Sequence, residues 1–243
     1  MGRAFEFRKA RKFKRWAAMS KIFARLNKDI IIAIREGNGV DPDMNPRLRA
    51  VLQNCRAANM PKDNVERAIK KATDKDTSDF KEVNFEGYAP HGIAVFVETA
   101  TDNNNRTVAN VRSHFNKGNG NLSTSGSVEF MFDHVCFFKL KSEGLDHEEL
   151  ELELIDFGAE EIEMDEDAFI VTGSFESFGS LQKKLEDDGA EIIESGLERV
   201  PNITKELDIE ATAEVEKLIE RLEEDDDVQQ VFHTMSSSTP PEG

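Results

Sequence analysis

The densest chemistry in this sequence lies near its start, where Arg8, Lys9, Arg11, Lys12, Lys14, Arg15 and Lys21 are interleaved with Phe5, Phe7, Phe13 and Trp16. Cationic side chains at this density pair with phosphates, and aromatic or guanidinium faces stack on exposed bases, so the pattern points to a nucleic-acid surface. The plainer reading is a solvated basic helix that uses Phe13 and Trp16 as packing anchors. Arg25, Lys28, Arg47, Arg49, Arg56 and Lys62 extend the same charge over the segments that follow.

Two further stretches carry polar chemistry. Asp102-Asn103-Asn104-Asn105-Arg106-Thr107 stands where a strand hands over to a helix. It reads either as a capped helix start or as a place where Arg106 and nearby amides face a partner. The loop from Lys117 to Ser127 offers many N–H and hydroxyl donors, with Asn119, Asn121, Ser123, Thr124 and Ser125 as candidate contacts to phosphate or ribose oxygens. No Gly-Lys-Ser/Thr closes it and no helix follows, so nucleotide hydrolysis of the P-loop kind is not indicated.

The remaining polar residues argue against catalysis. His91, His114, His134, His147 and His233 are scattered without metal-ligand spacing, and Cys55 and Cys136 form no CxxC pair. Glu223-Glu224-Asp225-Asp226-Asp227 ends a helix, where acid opposes the dipole, and reads as a solvated turn. No enzyme, cofactor, metal or small-molecule substrate is implied.

Charge decides how the basic segment can work. The chain of 243 residues carries a net −17, which alone would disfavour nucleic acid. Yet residues 1–75 hold 19 Lys/Arg against 8 Asp/Glu, a net +11, and the remainder is −28. Such a bipolar chain releases counterions from a polyanion at one end and repels it at the other, so charge alone orients binding. No apolar run approaches the roughly 18 residues of a membrane span, and no signal-peptide core is seen, so the expected compartment is the cytoplasm.

The elements that must position these residues follow from periodicity. Ile22, Phe23, Leu26, Ile30, Ala33 and Ile34 form a helical stripe ended by Gly37-Asn38-Gly39. Asn45 then caps a helix with Pro46 at its first position, and Asn59-Met60-Pro61 separates it from a third helix carrying Val65, Ala68 and Ile69. A small bundle over 1–78 is expected. From 79 the period becomes two: strands at Val83–Tyr88 and Gly92–Glu98, a helix at Asn104–Asn116, a loop, and a strand at Val128–Phe132. Between 134 and 204 an echo, Asp156-Phe157-Gly158-Ala159-Glu160 and Asp187-Asp188-Gly189-Ala190-Glu191, places a glycine after each of two helices and before a strand. The order there is βαββαβ, a ferredoxin-like unit. A final helix near Ala213–Glu224 and strand Val228–His233 need a partner sheet. The expected fold is therefore α+β: an N-terminal helical bundle, a discontinuous domain of 79–133 plus 205–235, the ferredoxin-like 134–204 inserted into it, and a disordered tail at 236–243.

Several long motifs then resemble one family. They are Asn45-Pro46-Arg47-Leu48-Arg49, the run Ala57 to Lys71 containing Asn59-Met60-Pro61, Phe85-Glu86-Gly87-Tyr88, and Asn119-Gly120-Asn121-Leu122 through Gly126-Ser127-Val128. In this order over nearly the whole chain they resemble the YebC family, which includes the PmpR-type regulators and the mitochondrial translational activator of cytochrome c oxidase. The resemblance implies three domains with the last inserted into the second, and no enzymatic activity. It implies one of two functions, a DNA-binding transcriptional regulator or a translation factor on the ribosome that assists proline-rich nascent chains. In the second, the loop Asn119 to Ser127 would approach ribosomal RNA. Many members open with Gly-His-Ser-Lys-Trp, whereas this chain has Gly2-Arg3-Ala4-Phe5-Glu6-Phe7, so contacts of that opening are not carried over. A protein-interaction module, with acidic domains docking a partner, is the alternative from another class.

Overall fold

A computed structural model describes residues 19–74 and 80–236. Arg8 to Arg15, Trp16 and the tail after Ser236 lie outside the described residues. Among the described residues the first elements are α1 (Met19–Glu36), α2 (Pro46–Ala57) and α3 (Lys62–Thr73). Ile30, Ile31, Ile32, Ala33 and Ile34 are all buried, so this stretch of α1 is enclosed on every side rather than along a single stripe.

Asn45 fixes the joint between the first two helices. Its Oδ1 accepts from the Leu48 amide at 3.0 Å, and its Nδ2 donates to the carbonyls of Ala33 at 2.7 Å and Gly39 at 2.8 Å. One buried side chain thus caps α2 and ties the end of α1 to it. Gly37 is required beside it, because a Cβ there would stand 2.4 Å from the Ala33 carbonyl and 2.7 Å from Asn45 Nδ2. Arg35 ties α1 to the end of α3, donating to the carbonyls of Ala72 at 3.1 Å and Asp74 at 3.0 Å.

The β-rich part opens with β1 (Lys81–Tyr88) and β2 (Ala94–Thr101), then α4 (Asn104–Lys117) and the two-residue β3 (Asn121–Leu122). The chain continues through β4 (Phe132–Lys141), α5 (His147–Leu154), β5 (Ala159–Asp165), β6 (Ala168–Ser174), α6 (Phe178–Asp187) and β7 (Ile192–Pro201). It ends with α7 (Ile209–Glu223) and β8 (Val228–His233). Among the described residues the strands form two four-stranded sheets, ordered β3-β1-β2-β8 and β5-β6-β4-β7. In the first, β8 pairs antiparallel with β2, Val97 opposite Val231, so the last strand of the chain completes a sheet begun more than a hundred residues earlier.

The second sheet has the strand order of a ferredoxin-like fold. Its core joins Cys136, Phe138, Leu140, Phe169 and Val171 of the strands to Leu150, Leu154, Leu181 and Leu185 of α5 and α6. The two glycines of the repeated motif both take positive φ, 96° at Gly158 and 73° at Gly189, where a Cβ is disfavoured.

By contacts the chain divides into two compact units, one combining the N-terminal helices with residues 134–199, the other built on the β3-β1-β2-β8 sheet. Within the first, Asn54 of α2 pairs its carboxamide with the backbone of Ser195 in β7, donating at 2.7 Å and accepting at 3.0 Å.

Within the second, both faces of the sheet are covered. Val111 and Phe115 of α4 and Val215, Leu218 and Leu222 of α7 pack with Val95 and Val97 on one face. On the other, Val128 and Phe132 pack with Ala94, Phe96 and Phe232. The segment Val128–Phe132, expected as a strand, is instead a 3-10 turn at Glu129–Met131 followed by the start of β4. The reason is local: the amides of Val128 and Glu129 are held by a side chain, described next, and cannot join a strand ladder.

Candidate nucleic-acid interface

Lys21, Arg25 and Lys28 lie on α1 at positions that share one side of the helix. Arg56 is exposed on α2 and Lys62 on α3, where Lys62 sits 3.7 Å from Glu66. Arg47 meets Glu36 at 3.1 Å with both side chains roughly half exposed. Surface pairs of this kind contribute little, so they leave these cations able to meet a phosphate.

Arg49 is different. Its Nε donates to Glu186 Oε1 at 2.7 Å, its Nη1 donates to the Pro42 carbonyl, and its side chain is 27% exposed. Its guanidinium thus ties α2 to α6, where Glu186 accepts also from Gln182 Nε2 at 3.2 Å.

Arg106 is also engaged within the chain, although its side chain stays 47% exposed. Asn103 caps α4, accepting from the Arg106 amide at 3.2 Å. The guanidinium reaches across to Asp227, with Nη2 at 2.8 and 3.0 Å from the two carboxylate oxygens, and also to Asp102 at 2.9 Å. Hydrogen bonds to Asp227 first and Asp102 second raise its pKa above the ordinary arginine value. Asp227 is buried and accepts further from Thr107 Oγ1 at 2.8 Å, so it needs the cation that Arg106 supplies. The acidic turn is therefore only partly solvated. Asp225 accepts from the Asp227 amide at 2.9 Å and lies 3.0 Å from His114 Nε2.

The donor-rich loop is organised by a residue that sequence reasoning passed over. Glu86 of β1 is 3% exposed, on the sheet face opposite the helices, and its carboxylate accepts from the amides of Gly126 at 2.6 Å, Val128 at 2.7 Å and Glu129 at 2.8 Å. The Glu86 carbonyl accepts from Ser123 at 2.8 Å. Asn119, Gly120 and Ser127 donate to carbonyls of the chain as well. The idea that this loop cradles phosphate with its backbone is corrected accordingly, since an internal carboxylate already occupies its nest. What it shows outward are side chains: Asn119, Asn121, Thr124 and Ser125 are exposed, and Ser123 is half-buried. The one available signal was its place in the motif Phe85-Glu86-Gly87-Tyr88, since within the strand it falls in the same polar alternation as Glu82 and Asn84.

The other titratable groups serve structure. His134 stacks on Phe175, ring centroids 4.3 Å apart, and burial, aided by Arg199 and opposed by Glu176, pushes its pKa down to about 4. Burial pushes the thiols of Cys55 and Cys136 up to about 11. Among the described residues no three His, Cys, Asp or Glu side chains gather as a metal site requires, and no helix is long and apolar enough to cross a membrane.

N-terminal helices followed by two antiparallel four-stranded sheets define an α+β protein, and comparison with known proteins narrows the class. Residues 3–75 match the family model described as the TACO1/YebC protein N-terminal domain, and residues 80–235 match the TACO1/YebC second and third domain. A relative from Flavobacterium johnsoniae is 66% identical, covering 97% of this chain and 99% of its own length. One from Parabacteroides distasonis is 58% identical over the full length of both. Each is named a "probable transcriptional regulatory protein". A crystal structure of a conserved hypothetical protein from Aquifex aeolicus superposes with a TM-score of 0.77 at 38% identity, over 91% of each chain. This chain belongs to the TACO1/YebC family.

Proposed function

We propose that the protein is a non-enzymatic regulator of gene expression that binds nucleic acid through its basic N-terminal part, the relatives' name favouring DNA and transcription. The observation that carries this reading is the charge division, +11 over residues 1–75 against −28 over the rest. Such a division recruits a polyanion to one part of the molecule and repels it from the other. Lys21, Arg25, Lys28, Arg47, Arg56 and Lys62 continue along the sequence the basic run Arg8 to Arg15, whereas Arg49 and Arg106 are already engaged by Glu186 and by Asp227 with Asp102. A soluble, cytoplasmic location accords with this role.

A second reading, an RNA-binding factor acting in translation at the ribosome, is favoured by the outward face of the loop, which offers carboxamides and hydroxyls. Crosslinking in growing cells followed by sequencing of the bound nucleic acid separates the two: promoter DNA supports the first, ribosomal RNA the second, and neither leaves a protein-interaction module. In vitro, neutralising about six phosphates gives a slope near −5 for log affinity against log salt. Charge reversal at Arg11, Lys12 and Arg15 flattens that slope; an unchanged slope removes the basic segment from the interface.

A further inference from the structure

We propose that α2 carries a base-reading face for double-stranded DNA, and that α6 and β7 cover this face until DNA displaces them; the proposal rests on the DNA reading above. Arg49, Gln53 and Arg56 stand at i, i+4 and i+7 on α2, with Asn54 beside Gln53, so they share one side of the helix. Arginine, glutamine and asparagine are the residue types whose bidentate hydrogen bonds distinguish guanine and adenine in the major groove, a channel about 12 Å wide that admits a helix. Asn45 ties the start of α2 to the end of α1, so the stripe is presented by a fixed element.

Two of these side chains already bind surrogates of a base edge. Asn54 Nδ2 donates to the Ser195 carbonyl at 2.7 Å, and its Oδ1 accepts from the Ser195 amide at 3.0 Å. Adenine offers the same pair, N7 as acceptor and the N6 amino group as donor. Arg49 Nε donates to the Glu186 carboxylate at 2.7 Å, as it would to the O6 and N7 acceptors of guanine. The cover is also able to part. β7 is an edge strand, and the Ser195 N–H and C=O both turn outward to Asn54, so water satisfies them once α2 leaves. Gln182 of α6, which donates to the Pro46 carbonyl at 3.4 Å, and Ser195 are each 1% exposed. Yet Gln182 Oε1 and Ser195 Oγ have no hydrogen-bond partner among the described residues, and neither has Gln53 Oε1. A buried acceptor without a partner opposes closure, and opening returns it to water.

The test selects preferred sequences from a random DNA duplex pool with the full chain. Fluorescence anisotropy then compares the selected duplex with a scrambled one over a series of KCl concentrations. Asn54→Ala should cut the preference about 5- to 150-fold, the loss of one bidentate base contact, without altering the salt slope. Glu186→Gln, which weakens the cover, should tighten binding of the selected duplex more than of the scrambled one, whereas a lost negative charge alone tightens both equally. In the wild-type chain the Ser195 amide should lose hydrogen-exchange protection when the selected duplex is added, a measurement that needs no variant; circular dichroism checks that both variants are folded. A pool that yields no preferred sequence, or Asn54→Ala with its preference intact, overturns the base-reading face. Ser195 protection unchanged at saturating duplex, or equal tightening of both duplexes by Glu186→Gln, overturns the cover. An RNA duplex of the selected sequence bound as tightly as the DNA overturns the assignment to DNA, because the deep, narrow major groove of RNA is closed to side chains. These outcomes are separate from failure of the basic-segment reading, which appears as an unchanged slope in the variant reversed at Arg11, Lys12 and Arg15.

Discussion

Replacing Glu86 by Gln should destabilise the β3-β1-β2-β8 unit by about 2–4 kcal/mol, and the magnitude follows from which oxygen serves which amide. One oxygen accepts from Gly126 and the other from both Val128 and Glu129. Glutamine keeps one acceptor, so at least one amide faces an NH2 group. A buried donor left unsatisfied costs about 1–3 kcal/mol, and the surviving bonds fall from charge-assisted to neutral strength, a further ~1 kcal/mol. Relief of carboxylate desolvation offsets part of this, so the outcome should fall toward the lower end of that range. The assay pairs urea denaturation followed by circular dichroism with native-state hydrogen exchange. Amides of Gly126, Val128 and Glu129 should lose protection first, while those at the centre of β2, paired with β1 and β8, keep theirs until global opening. A change under ~0.5 kcal/mol with protection of the three amides intact would refute the role assigned to Glu86.

The other predictions concern the remaining buried polar groups. Asp227→Asn should cost about 1–3 kcal/mol, and a double-mutant cycle with Arg106→Gln should show coupling above ~0.5 kcal/mol, whereas additivity would mean that the pair is incidental. Burial holds the His134 pKa at about 4, below the ordinary histidine value of about 6.5. The unfolded chain therefore takes up this proton first as pH falls, and the contribution is complete above 6.5 and lost down to about 4. Its limiting slope is about 1.4 kcal/mol per pH unit, and His134→Gln should remove that component from a denaturation series. Cys55 and Cys136, buried with pKa values near 11, should label with a thiol reagent at pH 8 only at the rate of unfolding; fast labelling of either would contradict its burial.

Local rules made much of this molecule legible before its structure. Asn45 with Pro46 announced a capped helix, Gly158 and Gly189 announced left-handed helix ends, and the switch from helical to two-residue period marked where sheets begin. These features depend on neighbours within a few residues, so the chain itself displays them. The candidate interface was less legible. Arg49 and Arg106 looked like Arg56, since basic residues on helices differ only in what they meet, and Glu186 and Asp227 are 137 and 121 residues away along the chain. The outward loop was recognisable as donor-rich, but not the direction in which those donors point.

The sequence by itself determined the bipolar charge, the helical and strand periods and the family, because composition, spacing and motif are properties of the chain. Only the tertiary structure decided which polar groups are available to a partner. A carboxylate buried by folding must find donors, and Glu86 finds them in the loop that otherwise reads as a phosphate cradle. What remains outside is a loop of carboxamides and hydroxyls.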